Sequence, residues 1–200
     1  KIPELRFKGF TDAWEQCELG KDIANIIGGG TPSTTNPEYW NGNIDWYSPS
    51  EIGNQVYAIH SNKTITKAGL QSSSAKMLPA NKTILFTSRA SIGETAILKN
   101  PGSTNQGFQS LVVNDNFDVY FIYSSTPLIK QYALEKASGS TFLEISSKLL
   151  GQMKMACPGI QEQIQIGRLL KALDTLITLH QRKLEKMQII KKSLLEKMFV

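Results

Sequence analysis

Apolar residues in the last fifth of the chain recur at alternating steps of three and four: Ile166, Leu169, Leu173 and Leu176, then Met187, Ile190 and Leu194. His180, Lys183 and Lys197 fill the slots that this pattern skips. The spacing is a heptad seam, the mark of a helix that packs along another helix. A second row, Leu170, Ile177, Leu184 and Met198, runs beside the first and widens the apolar face. Residues 161–200 contain no Pro and a single Gly, Gly167, so the pattern predicts an unbroken helix. At about 1.5 Å per residue such a helix is roughly 60 Å long, more than the width of a globular domain of this size. It must project, and its apolar face needs a partner.

Upstream the period changes. Residues 1–20 form an entry segment with Phe7, Phe10 and Trp14 as apolar anchors, and a short helix is expected at about 19–27. Residues 28–37, Gly-Gly-Gly-Thr-Pro-Ser-Thr-Thr-Asn-Pro, are a loop, because glycines admit positive φ and prolines fix turn geometry. Asn41-Gly42 predicts the turn of a hairpin leading into a short strand at 44–47. Further strands are expected at 64–66, 83–87, 95–98 and 111–113, the second of them β-branched, apolar and buried. A helix over 118–137 is interrupted at Pro127 and ended by Ser138-Gly139-Ser140-Thr141. A short helix at 146–150 and a strand at 154–156 close the body before Pro158-Gly159. The order predicts an α+β fold: a β-rich globular domain over 1–158, then a long helix over 159–200.

Charge sharpens this division. Residues 1–158 hold 14 Lys/Arg against 13 Asp/Glu, a balance of +1, while residues 159–200 hold 8 against 4, a balance of +4. A nearly neutral globule does not hold nucleic acid by bulk electrostatics, so DNA binding would need a local patch, base-edge contacts or a basic partner. No apolar run approaches the roughly 20 residues of a membrane span, and the charged start lacks the apolar core of a signal peptide. The chain reads as cytoplasmic. Cys17 and Cys157 stand far apart in sequence with no CxxC and no neighbouring His pair, which indicates two free thiols and no metal site.

The candidate chemistry is that of recognition. The glycines at 28–30 are followed by Thr-Pro-Ser and not by Gly-Lys-Ser/Thr, which removes a P-loop. Asn36-Pro37-Glu38-Tyr39 is similar to the Asn-Pro-Pro-Tyr loop of amino-methyltransferases, but the second proline is missing and no glycine-rich cofactor turn precedes it. His60 and His180 stand alone, with no Ser-His-Asp order, no HExxH and no clustered carboxylates, so no catalytic residue or cofactor is assigned. Ser88-Arg89-Ala90-Ser91 between two strands suits phosphates or guanine edges, or else places Arg89 against a surface carboxylate. Asn105, Gln106 and Gln109 gather around Gly107; such amides read adenine edges or tie a loop to its own backbone.

Several of these segments together carry a family resemblance: Gly29-Gly30-Thr31-Pro32-Ser33, Asn36-Pro37-Glu38-Tyr39-Trp40, Ser91-Ile92-Gly93, Asn105-Gln106-Gly107-Phe108 and Ser138-Gly139-Ser140-Thr141. Pro158, Glu162-Gln163 and Asp174 continue it into the helix, and Pro3-Glu4-Leu5-Arg6-Phe7 with Trp14-Glu15-Gln16 opens it. In this order they resemble the specificity subunit of type I restriction-modification enzymes. The resemblance implies a non-catalytic, DNA-binding subunit with paired target recognition domains, each followed by a long helix, the two helices forming an antiparallel coiled coil. Each domain reads half of a bipartite double-stranded DNA site, modification subunits dock on the assembly, and motor and restriction subunits join through it. This chain holds one domain and one helix, half the usual plan.

The expected DNA contacts are Thr31, Ser33, Thr34, Tyr47, Lys63, Ser88, Arg89, Ser91, Asn105, Gln106 and Gln109. The expected pairing residues are Ile166, Leu169, Leu173, Leu176, His180, Leu184, Met187, Ile190 and Leu194, the partner being a second copy or a second specificity half. His180 is near the helix midpoint, where a polar seam residue can set register. A helix of roughly 60 Å caps half-site separation at about 17 base pairs. A coiled-coil adaptor whose globule binds protein is the competing reading, and a DNA methyltransferase a weaker one.

Overall fold

The computed structural model describes residues 3–53, 55–139 and 143–199. The chain runs β1 (Glu15–Glu18), one π-helical turn (Leu19–Ile23), β2 (Ala24–Gly28), a 3-10 turn (Pro37–Tyr39), β3 (Trp40–Tyr47) and a second 3-10 turn (Pro49–Glu51). It continues through β4 (Tyr57–Ala58), β5 (Lys63–Ile65), α1 (Lys67–Gln71), β6 (Thr83–Phe86), β7 (Thr95–Leu98), β8 (Gly102–Thr104) and β9 (Gln109–Val113). Then follow α2 (Val119–Ser124), α3 (Thr126–Lys136), α4 (Ser147–Gly151), β10 (Lys154–Cys157) and α5 (Ile160–Met198).

Three sheets form: a five-stranded one ordered β2-β9-β6-β7-β4, a three-stranded one ordered β5-β3-β8, and the pair β1-β10. All four residues of β6 are buried because both faces of its sheet are covered. Ile84 and Phe86 join the larger core with Leu111, Phe121, Ile122, Ile129 and Leu150. Leu85, one step out of phase, faces the second core of Tyr47, Leu78, Leu98 and Phe108.

Two local expectations are corrected. The helix at 19–27 is a five-residue π turn followed by β2, because Ile26 and Ile27 enter the sheet opposite Leu111 and Ser110. Short apolar runs of this kind do not separate helix from strand by period. Asn41-Gly42 is not a hairpin turn: β3 runs straight through it, with Asn41 at φ 59° and both Trp40 and Ile44 opposite Ile65. The turn chemistry is real but makes a bulge, since the partner strand lies elsewhere in the sequence. Strand β8 (Gly102–Thr104), for which the sequence carries no strand signal, pairs in parallel with β3. The expected helix ending at 138–141 falls partly on Ser140 and Thr141, which lie outside the described residues.

Cys17 and Cys157 are free, and the β1-β10 pairing sets their thiols in contact. Burial, then the neighbouring Cys17, pushes the Cys157 thiol up to about 12 and keeps it a packing group. Among the described residues no helix is long and apolar enough to cross a membrane.

The root of α5 is docked on the globule. Glu162, 1% exposed, receives Arg6 Nε and Nη2 at 2.7 and 2.8 Å. The Gln163 side chain accepts from the Asp118 amide at 3.0 Å and donates to the Pro158 carbonyl at 2.8 Å. Gly167 lies against Asp118 and Phe121 of α2 so closely that a Cβ would meet the Asp118 carboxylate. Farther along, Tyr120 donates to Asp174 at 2.7 Å. Burial, then the Asp174 carboxylate, raises the Tyr120 phenol well above its ordinary range, so it stays a donor. From residue 179 onward every described helix residue is exposed.

Candidate nucleic-acid interface

Strand register decides which loops meet. Gly28 pairs with Gln109, Thr87 bridges to Phe108, and Tyr47 pairs with Thr104, so β2, β6 and β3 all end where β8 ends and β9 begins. The loops that follow or precede these ends therefore converge. Gly30 donates to the Thr104 carbonyl at 2.9 Å, Asn105 to the Tyr47 carbonyl at 3.0 Å, and Ser88 to the Gly107 carbonyl at 2.8 Å. Gly29 is required by this closeness, because a Cβ there would fall on the carbonyls of Thr104 and Asn105. Two indoles hold the same loop from below: Trp46 donates to the Gly30 carbonyl at 2.9 Å and Trp40 to the Ser33 carbonyl at 3.0 Å.

Nine of the expected contact residues carry accessible side chains. Thr31, Ser33, Thr34, Lys63, Ser91 and Gln106 are exposed, and Arg89, Asn105 and Gln109 are half-buried. Thr31 Oγ1 donates to Gln106 Oε1, joining the glycine loop to the amide loop. Asn105 Oδ1 accepts from the Gly107 amide at 2.8 Å, so its carbonyl oxygen shapes the turn. Lys63 stands 5.9 Å over the Trp40 ring. Arg89 makes no ion pair among the described residues, and Ala90 beside it has φ 61°, which turns the loop.

Two expected contacts are corrected. Tyr47 is 1% exposed in the second core, and burial, then Asp45 and Glu51, raises its phenol far above the ordinary range. Ser88 is 0% exposed, because its amide is bonded to Gly107 and its carbonyl to the Ile145 amide. Neither side chain is open to solvent at this end.

Residues that the sequence reading missed organise the same end. Glu51 Oε2 accepts from the Ser48 amide and hydroxyl, both at 2.7 Å, while Oε1 accepts from the Asn62 amide at 2.6 Å. Asp45 Oδ1 accepts from the Ser61 amide at 3.1 Å and hydroxyl at 3.0 Å. These carboxylates are occupied by donors and pin the segment that carries Asn62 and Lys63 beside Ser48 and Ser50. Ser48-Pro49-Ser50-Glu51 carries the capping-box pattern with Pro in first position, a signal legible in the sequence. The link to Asn62 is tertiary and is not. Replacing Glu51 with Ala is expected to lower stability by about 1–3 kcal/mol, as bonds to a charged acceptor are lost. Urea denaturation reads this directly; an unchanged midpoint would mean that the loops hold without the carboxylate.

The exposed end is thus rich in hydroxyls and amides, with Lys63 and Arg89 among its cations. Among the described residues no three His, Cys, Asp or Glu side chains converge as metal ligands. On α5, the expected pairing residues Leu169, Leu173, Leu176, Leu184, Met187, Ile190 and Leu194 are 46–59% exposed, and His180 is exposed as well. Ile166 packs against the core of the globule along with Leu170, so the solvent-facing row begins at Leu169.

The family model of the type I restriction modification DNA specificity domain matches residues 11–188. The chain belongs to that family. The type I specificity subunit of the MjaIX system of Methanocaldococcus jannaschii is 35% identical over 187 residues, covering 92% of this chain and 42% of that protein. The EcoR124I/EcoR124II specificity subunit of Escherichia coli is 34% identical over 179 residues, covering 86% of this chain and 43% of its own length. The chain therefore spans about two-fifths of the length of these curated relatives. Solved structures share the fold: a chain from a study of type I R-M complex assembly has TM-score 0.71 at 18% identity, over 97% of this chain and 46% of that one. The HsdS subunit of Thermoanaerobacter tengcongensis has TM-score 0.61 at 19% identity, over 91% and 42%. In this member of the family, the motif residues Glu162, Gln163 and Asp174 bond the long helix to the globule.

Proposed function

We propose that residues 1–158 are a target recognition domain for double-stranded DNA and residues 159–200 a dimerisation and spacing helix. Together they serve as a non-catalytic type I specificity module that reads one half of a bipartite site. The observation that carries this reading is the convergence of the glycine, amide and Arg89 loops at one end of a globule with a long helix whose apolar row is exposed. Hydroxyl and amide side chains suit base edges and phosphates, and Arg89 lacks a carboxylate partner among the described residues. The helix, 39 residues or about 58 Å long, pairs antiparallel with a second copy or with a second specificity half and sets the gap between half-sites. Modification subunits dock on this assembly, and motor subunits join through it.

Selection of bound duplexes from a random pool, with and without modification subunits, tests the reading. An enriched half-site is expected, present as an inverted repeat if two copies pair. Failure to enrich any sequence under both conditions would favour the protein-binding adaptor. Once the site is known, Arg89→Ala is expected to relax discrimination at one base position by about 1–3 kcal/mol. Competition anisotropy with single-base variants measures it, and unchanged discrimination would remove Arg89 from the base-reading set.

A further inference from the structure

The cations of α5 are not spread evenly around it. At about 100° per residue, Arg168, Lys171, Arg182, Lys186 and Lys197 fall within an arc of about 80°. None of the helix's carboxylates, Glu162, Asp174, Glu185 and Glu196, falls in that arc. The arc lies between the face docked on the globule, marked by Gly167 and Asp174, and the exposed apolar row. All five cations are exposed, and among the described residues none is in an ion pair; the one such pair within α5, Lys192–Glu196, is outside the arc.

The flank is continuous with the recognition end. Lys171 and Arg182 line a groove of about 750 Å³ between α5 and the globule, whose opposite wall includes Gly53, Gln55 and Tyr57. That wall is tied to the Ser48–Glu51 turn, because Gln55 Nε2 donates to the Glu51 carbonyl at 3.4 Å. Lys171 itself sits 6.0 Å over the Tyr120 ring at the root of the helix.

We propose that this flank contacts the sugar-phosphate backbone of the duplex between the two half-sites, whatever its sequence. The inference rests on the reading of the chain as a DNA recognition module. A globule whose balance is +1 supplies little of the phosphate attraction that holds proteins on DNA, whereas the helix segment carries +4. A stripe of unpaired cations roughly 44 Å long matches a rod of regularly spaced phosphates. It also lies clear of the apolar row, so pairing of two helices leaves it open.

The test is the salt dependence of binding to a selected duplex. The combined change Arg168→Gln, Lys171→Gln, Arg182→Gln and Lys186→Gln should flatten the slope of log K against log salt by about 3–4, with base preference and self-association unchanged. Glutamine keeps helix propensity, so the fold is retained. The pair Arg182→Gln/Lys186→Gln should flatten the slope more than Lys191→Gln/Lys192→Gln, which removes equal charge outside the arc. Neutral methylphosphonate linkages between the half-sites should weaken the wild type and weaken the fourfold variant, which keeps only Lys197 of the arc, much less. An unchanged slope, equal effects of the two pairs, or loss of modification-subunit capture with an intact slope would overturn the proposal. A wild type that shows no sequence preference would strike the recognition reading instead, while the slope difference on random duplex would still decide the flank.

Discussion

Changing Gly167 to valine is expected to loosen α5 from the globule and to cost about 1–3 kcal/mol, the usual range for overpacking. The reason is local. Asp118 caps α2 by accepting from the Phe121 amide at 2.8 Å, and that carboxylate occupies the space a Cβ at position 167 would need. Alanine at 167 gains about 1 kcal/mol of helix propensity and loses a cap of similar size, so it should be nearly neutral. Valine adds branching that neither the cap nor the α2 backbone can accommodate. Thermal unfolding followed by circular dichroism should show a fall of several degrees, and limited proteolysis should cut near Pro158-Gly159 sooner. A midpoint equal to that of the wild type would mean that α5 shifts without penalty. Glu162→Ala acts on the same joint by leaving the Arg6 guanidinium, 12% exposed, without its bidentate partner, and should lower the midpoint in the same direction.

The second large effect concerns association. Leu173→Asp combined with Met187→Asp should weaken self-pairing on the order of 100-fold or more, because each change loses apolar burial and places a carboxylate in the seam. In a dimer of two copies every substitution counts twice. Sedimentation velocity across a concentration series measures the shift, and Ser193→Asp, outside the apolar row, should leave it unchanged. If the double variant associates as the wild type does, the exposed row serves some other contact and the proposed antiparallel pairing fails.

Much of the architecture was visible in the residue pattern. The heptad pattern over 161–200, free of proline, predicts one unbroken helix, and it forms from Ile160 to Met198. The β-branched run at 83–87 forms the strand β6 over 83–86 with both faces covered, and the helix expected over 118–137 breaks at Ser125, with Pro127 in the first turn of α3. The errors share a cause. At Ile26-Ile27 and at Asn41-Gly42 the local signal was ambiguous, and the outcome was set by Leu111 and Ile65, partners distant in sequence.

The candidate interface divides in the same way. Residue chemistry marked the glycine loop, Arg89 and the amides, because small, hydroxyl-bearing and amide side chains in turns are visible without a fold. Exposure was not visible: Tyr47 and Ser88 carry suitable groups but point into the core. The capping-box pattern of Ser48–Glu51 is local, whereas the bond from the Asn62 amide to Glu51 joins segments eleven residues apart and carries no sequence signal.

By itself, then, the sequence determined the long helix, its apolar row, the division into a near-neutral body and a basic tail, and the loops rich in recognition chemistry. Each depends on residue type and short-range spacing, which the chain carries in one dimension. Only the tertiary structure decided that those loops meet at one end, that Gly167, Glu162 and Gln163 dock the helix, and that its cations are left free along one flank. These depend on strand register and on contacts between distant segments. Their energies come from burial and from hydrogen bonds that exist only once the sheets have closed.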